Sequence, residues 1–312
     1  MNIQVEYRDA RGRIEMQSHQ MTRLAFVKHM AIAGQRYAPN PQKLFRTLGV
    51  LLHYSNYMQR YDFYNNRFSE PPIQLSDPTE KGQFSNLAGK AIADFLSKKI
   101  DNSLYTVNYE AAMRIQGFPI INQRPDLIAY SPTHIFAIEA KGRHQNNPGN
   151  MSVHKSQAQT GPISVDFSVA CVSYNLFNQV ACKYYDPYND NKEYDNLSLQ
   201  SLTRNYYKGL AEFINNNLFD YHEVKYYGES FYEVELFRNK FQKETFLYPF
   251  FCKSLEYYRP RLILPVKINQ YAKQGITNET KPFTFESNKS DDINKQDLYI
   301  DNDRVGIRID KR

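Results

Sequence analysis

The stretch RPDLIAYSPTHIFAIEAK, residues 124–141, decides the expected fold. Two short runs of mainly apolar residues flank a Ser-Pro-Thr turn at 131–133, which predicts two antiparallel strands joined by a tight turn. The first strand begins at Asp126, and the second ends at Glu139 and Lys141. In an antiparallel pair the start of one strand lies beside the end of the next. These three charged side chains are therefore predicted to meet at one edge of a sheet.

The chemistry expected at this edge follows from the alternation of side chains along a strand. Glu139 and Lys141 share one face, while Ile138 and Ala140 share the other. Carboxylates held this close repel each other unless a cation lies between them, and hard oxygen ligands suit Mg²⁺ or Mn²⁺. Such an ion can activate water and polarise a phosphate, as phosphodiester hydrolysis requires. Lys141 would orient the water or neutralise charge at phosphorus. The alternative is a strand end whose charges are merely solvated.

The residues Pro125-Asp126 and Glu139-Ala140-Lys141, with their spacing, resemble the PD-(D/E)XK signature of the restriction-endonuclease-like nucleases. The resemblance covers roughly residues 80–220. It implies an α/β fold, with a mixed β-sheet flanked by helices, here a restriction-endonuclease-like core with a helical N-terminal addition. It also implies that Asp126 and Glu139 bind metal, that the backbone carbonyl of Ala140 adds a ligand, and that Lys141 is catalytic.

Three further residues are candidates for the same site. Glu80 lies at the start of an amphipathic helix, where members of the family often place an acidic ligand, but its spacing from Asp77 equally predicts a helix-capping role. Glu110, on a predicted strand before Asp126, is the second candidate metal ligand, and pairing with a surface lysine is its alternative. Gln157 occupies a helical position where the family commonly uses Gln to contact water or phosphate. The Gly-Arg-His sequence at 142–144 would contact a nucleic-acid backbone or form a polar loop.

The rest of the chain alternates between helical and strand-like patterns. We predict an N-terminal segment at 1–70, a nuclease core at 71–220 and a C-terminal extension at 221–312. The predicted helices are 21–33, 41–64, 78–100 (with Asp77 as the N-cap), 152–159 and 199–218. The predicted strands are a hairpin over 3–16 and the segments 104–115, 125–130, 134–141, 167–174, 179–185, 223–237 and 261–268, with a last hairpin over 298–309.

Composition and charge limit the partners. Lys and Arg number 39 against 33 Asp and Glu, a net charge of +6, and residues 1–70 hold ten basic against five acidic residues. This excess permits an anionic partner, and we expect a basic surface in the N-terminal segment. Tyrosines at 54–64 would stack on bases or pack in the core. DNA is the expected substrate, with RNA as a second possibility, and a protein partner or a homo-oligomer is expected as well.

Other classes of protein are disfavoured by what the sequence lacks. No apolar run approaches the roughly 18 residues of a membrane span, and no signal peptide is recognisable, so a cytoplasmic location without membrane contact is expected. Cys171, Cys182 and Cys252 fit neither a disulfide framework nor a zinc site and are expected to be buried hydrophobes. No P-loop, Rossmann fingerprint or nucleophile elbow is present.

The sequence therefore predicts a Mg²⁺- or Mn²⁺-dependent endonuclease that hydrolyses DNA. By analogy alone, a nuclease core without a recognisable target-recognition domain suits the effector of a bacterial antiviral defence or mobile-element system. The alternative from another class is a catalytically silent module that binds nucleic acid or protein.

Overall fold

The computed structural model describes residues 1–34, 53–70, 77–186, 196–215, 217, 219–239, 259–275 and 297–310. These residues fall into two compact units. The first takes its residues from Met1–Arg36 and His53–Ser198, and the second from Leu199–Arg312. The predicted N-terminal hairpin and first helix thus belong to the same unit as the motif. Cys252 and the part of the predicted helix 41–64 that precedes His53 lie outside the described residues.

The first unit is built on one mixed sheet. Its strands are β1 Asn2–Arg8, β2 Ile14–Gln20, β3 Tyr105–Asn108, β4 Leu127–Tyr130, β5 Ile135–Gly142, β6 Phe167–Tyr174 and β7 Ala181–Tyr185. They are arranged in the order β2-β1-β7-β6-β5-β4-β3. The pairs β1–β7 and β5–β6 are parallel and the other neighbours are antiparallel. The predicted mixed sheet and the N-terminal hairpin are confirmed.

Helices cover this sheet on both faces. They are α1 Arg23–Ile32, α2 Arg60–Tyr64, α3 Pro78–Ile100, α4 Tyr109–Ile115 and α5 Met151–Ala158. A Cβ at Gly142 would meet the Ser85 carbonyl of α3, so the face of β5 that holds Gly142 lies against α3. The opposite face of the sheet is covered by α5, whose Met151 packs on Ala170 and Val172 of β6.

The long helix α3 forms where its apolar periodicity predicts it. The Asp77 side chain caps its first turn by accepting from the Thr79 amide at 2.7 Å, and Pro78 occupies the first turn. Its apolar residues form one continuous face, and those that are fully or almost fully buried include Phe84, Ala91 and Phe95. Burial of this face against the sheet and against α1 stabilises the helix far more than its intrinsic propensity does.

Two predicted elements were wrong in part. The segment 104–115, predicted as one strand, is the short strand β3 followed by α4. The reason is Asn108, whose side chain accepts from the Ala111 amide at 3.1 Å and caps the helix, ending the strand. The described end of the predicted helix 41–64 is a 3₁₀ turn, Ser55–Met58, followed by α2. Gln59 separates them because its backbone is non-helical, with φ −58° and ψ 142°.

The second unit contains a five-stranded antiparallel sheet. Its elements are α6 Asn196–Asn215, β8 Phe219–Tyr226, β9 Glu229–Asn239, β10 Pro260–Pro265, α7 Ile268–Gln274, β11 Leu298–Ile300 and β12 Gly306–Ile309. The strand order is β11-β12-β10-β9-β8, and the predicted hairpin over 298–309 is confirmed. A buried carboxylate, Glu233, is neutralised in this sheet by ion pairs with Arg261 and Arg308.

Two smaller expectations can also be compared with the structure. Cys171 and Cys182 are buried free thiols, as predicted. Within the described part of the chain, no helix combines the length and the apolarity that a membrane-spanning segment needs.

Candidate active site

The β4–β5 ladder places Asp126 beside Glu139. Leu127 pairs with Ile138 in this ladder, and the Asp126 amide extends it by donating to the Ile138 carbonyl at 3.1 Å. The Asp126 carboxylate then accepts from the Ala140 amide at 3.2 Å. Both the backbone and the side chain of Asp126 are thus held by β5. The structure thus places the two acids together at one edge of the sheet, where the sequence predicts them.

Glu139 is the most unusual residue of the site. Its side chain is 0 % exposed, and the Lys141 ammonium is paired with Oε1. Within the described residues, Oε2 has no hydrogen-bond partner. Burial, and after it the negative charge of Asp126, raises the pKa of Glu139 to about 7. A buried carboxylate in this state is stabilised by a cation that reaches its unpaired oxygen.

Lys141 bridges the two acids. Its Nζ contacts Glu139 and lies 3.7 Å from Oδ2 of Asp126. Burial disfavours the charged ammonium, but pairing with the two carboxylates outweighs that effect and raises the pKa of Lys141. The raised pKa keeps the ammonium cationic at neutral pH. The side chain is 32 % exposed, so solvent and a ligand can reach it.

A second lysine, which the sequence did not predict, enters the site from α3. Nζ of Lys90 lies 2.9 Å from Oδ1 of Asp126. The helix can come this close because its Gly89 faces β5, where a Cβ would lie 2.3 Å from the Gly142 nitrogen. The sequence signal that could have indicated this lysine is Gly89, because a glycine inside a helix often marks close approach to another backbone.

The two additional acids proposed as metal ligands are not part of this cluster. Glu80 accepts from the Tyr57 hydroxyl at 3.1 Å, in the first turn of α3. Glu110 lies in the first turn of α4 rather than on a strand, and it forms an ion pair with Arg124. Among the described residues, no three His, Cys, Asp or Glu side chains are grouped to hold a metal ion. Asp126 and Glu139 therefore form a two-carboxylate site.

Gln157 is close to the motif, although not in contact with either acid. It lies on α5, and its amide donates to the Arg124 carbonyl at 3.3 Å, two residues before Asp126. It holds the segment that leads into the site. A direct role for Gln157 on water or phosphate stays a prediction.

The residues present fit a hard divalent cation. Among the described residues, Glu139 offers one buried oxygen without a partner, Oε2, and a bound cation would relieve the repulsion between Glu139 and Asp126. Mg²⁺ requires few protein ligands because it retains several waters, so two carboxylates and the Ala140 carbonyl that the resemblance implies are a sufficient set. Lys90 would be displaced from Asp126 when the ion binds.

No protein-family model, curated protein or solved structure matches the chain. Inference about its function therefore begins from the chemistry of Asp126, Glu139 and Lys141.

Proposed function

We propose that this protein is a metal-dependent nuclease that hydrolyses phosphodiester bonds of DNA, with its first unit as a restriction-endonuclease-like core. The observation that carries this proposal is Glu139, a fully buried carboxylate that faces a second acid and whose Oε2 has no hydrogen-bond partner among the described residues. Its other oxygen is paired with Lys141. A buried carboxylate oxygen without a partner destabilises a folded protein, whereas a metal ligand needs that oxygen free.

Each residue of the site has a distinct role in this proposal. Asp126, Glu139 and the Ala140 carbonyl hold Mg²⁺ or Mn²⁺. When bound, the ion supplies a polarised water and an electrophile for the phosphate. Lys141 stays cationic because both acids favour its ammonium form, and it neutralises charge that develops at phosphorus. Lys90, once released from Asp126, adds positive charge beside a polyanionic strand.

The alternative function is a catalytically silent module that binds nucleic acid or protein. One observation favours it: Lys90 and Lys141 together balance the charges of Asp126 and Glu139 without any metal ion. In that case the cluster would be a structural ion-pair network. The two functions differ in their response to Mg²⁺ or Mn²⁺, one of which the proposed nuclease requires and neither of which a self-neutralised network binds.

The test is cleavage of supercoiled DNA, linear DNA and RNA by the purified full chain with Mg²⁺, Mn²⁺ or EDTA. Asp126→Ala and Lys141→Ala are compared with Lys81→Gln, a change at an ion pair with Glu70 near the start of α3. We expect DNA cleavage that needs the metal, is lost in the first two variants and is retained in the third. Cleavage that survives both site substitutions would place the active site elsewhere. Absence of cleavage and of Mn²⁺ binding would favour the silent module.

A further inference from the structure

Arg143 lies on the same face of the sheet as the candidate catalytic residues. Its amide donates to the Ser173 carbonyl at 2.8 Å, so the β5–β6 ladder extends one residue beyond Gly142. Alternation along the strand then places Arg143 on the same face as Glu139 and Lys141. Its side chain contacts α5, the helix that covers this face.

The guanidinium of Arg143 is held in place by neutral groups. Its Nη2 donates to Nε2 of His154 at 3.2 Å. It also lies against Gly149, where a Cβ would stand 2.8 Å from Nη2. Gly149 has φ +76°, a conformation that favours glycine, so the loop can pass directly beside the guanidinium. This support orders a long side chain, which reduces the entropy lost when the side chain binds a ligand.

His154 serves as an acceptor in this arrangement. Burial, and then the positive charges of Arg143 and Lys141, lowers the pKa of His154, which keeps the ring neutral at physiological pH. A neutral imidazole that accepts at Nε2 carries its proton on Nδ1. Arg143 and Lys141 share one face of β5, and the charge of each lowers the pKa of His154.

No carboxylate among the described residues balances the charge of Arg143. Arg13, Arg67 and Arg124 are each paired with an acid, but within the described ranges no Asp or Glu lies at ion-pair distance from Arg143. A guanidinium that gives one N–H to a histidine keeps other N–H groups in a planar fork, which matches two oxygens of a phosphate.

We propose that Arg143 is a phosphate-binding residue, positioned by His154, and that its ligand is a phosphodiester group of a nucleic-acid strand. Two residues of extended chain separate Arg143 from Lys141 by about 7 Å. Arg143 therefore contacts a phosphate next to the one that Lys141 faces. The identity of the ligand as nucleic acid rests on the proposed function, whereas the anion site rests on the contacts of Arg143 alone.

The test measures binding apart from cleavage. A short fluorescein-labelled DNA duplex and a labelled single strand are titrated with the full chain in EDTA, at several salt concentrations, by fluorescence anisotropy. Arg143→Gln is expected to weaken binding about tenfold and to reduce the slope of log affinity against log salt by roughly one contact. Arg143→Lys keeps the charge and is expected to restore the slope but only part of the affinity. Lys81→Gln, which removes a lysine paired with Glu70, is the control and is expected to bind as the wild type does.

The positioning role of His154 has its own comparison. His154→Ala removes the acceptor and is expected to weaken binding by a smaller factor, about threefold by loss of one hydrogen bond. His154→Gln keeps an acceptor and is expected to bind nearly as the wild type. Equal weakening by both variants would overturn the positioning role.

Two outcomes would overturn the phosphate site. Arg143→Gln and Arg143→Lys that match Lys81→Gln in affinity and salt slope would do so even if the wild type cuts DNA. A wild-type protein that binds neither probe would do so as well. Loss of affinity in Arg143→Gln, with a wild type that never cuts, would instead keep the phosphate site and contradict the nuclease proposal.

Discussion

Replacing Lys90 with methionine removes the ammonium that competes with a metal ion for Asp126, and it keeps a side chain of similar length. In the metal-free protein Nζ of Lys90 lies 2.9 Å from Oδ1 of Asp126, and the two side chains are 30 % and 20 % exposed. The pair is therefore partly screened by solvent. We expect it to contribute about 1 kcal/mol, above fully exposed pairs and well below fully buried ones.

Because a metal ion must break this pair to bind Asp126, its removal should strengthen metal binding by the same amount. An increase of about 1 kcal/mol corresponds to roughly fivefold tighter binding. Without metal, the variant leaves Asp126 and Glu139 less neutralised, so its thermal midpoint should fall by about 2–4 °C. Added Mn²⁺ should then raise the midpoint more in Lys90→Met than in the wild type, because a ligand that binds the folded state stabilises it according to its affinity.

The assay is isothermal titration of the full chain with Mn²⁺, together with thermal unfolding in EDTA and in Mn²⁺. Lys81→Met is the matched control, because Lys81 lies on the same helix and pairs with Glu70. Its Mn²⁺ affinity should equal that of the wild type. Unchanged or weaker Mn²⁺ binding by Lys90→Met would refute the idea that Lys90 and a metal ion share Asp126.

Glu139→Gln is expected to flatten the pH dependence of stability in metal-free protein. The folded pKa of Glu139, raised from 4.5 to about 7, stabilises the folded state at low pH, and this stability is lost as the pH rises through 7. The thermal midpoints at pH 5 and pH 8 should therefore differ less in the variant than in the wild type. Burial also raises the pKa of Asp101 to about 7, but Asp101 contributes equally to both proteins. The same difference between the two midpoints in variant and wild type would contradict the raised pKa of Glu139. Gly89→Ala should cost about 1–3 kcal/mol in chemical denaturation because its Cβ would meet β5. Gly82→Ala, with open space around it, should be neutral or stabilising by up to about 1 kcal/mol; equal effects would argue against the close helix–strand contact. Glu80→Gln should keep the wild-type affinity for Mn²⁺ in the same titration, and a large loss would return Glu80 to the ligand set.

The sequence predicted the parts of the fold that depend on local pattern. The apolar periodicity of α3, the capping Asp77 and the turn at 131–133 each act within a few residues, and each is present in the structure. The pairing of Asp126 with Glu139 was predictable for the same reason, because a tight turn fixes the register of two antiparallel strands.

The contributions of distant elements to the site were not predictable in this way. Lys90 reaches Asp126 from a helix 36 positions earlier in the chain, and its approach depends on the glycine contact with β5. The link between Arg143 and His154 likewise depends on how α5 lies on the sheet. The sequence suggested Glu80 for the site because an amphipathic pattern shows which side of a helix is buried. It does not show which turn of the helix reaches the strand ends.

The most direct test of the central claim is the rate of Mg²⁺-dependent DNA cleavage by Glu139→Gln beside the wild type. The substitution keeps the size of the side chain and removes the charge that would bind the metal. Because metal-ion stabilisation of the transition state is worth several kcal/mol, we predict a loss of about a thousandfold or more. A Glu139→Gln protein that cuts DNA at the wild-type rate would contradict the proposal that this buried carboxylate is the centre of a nuclease.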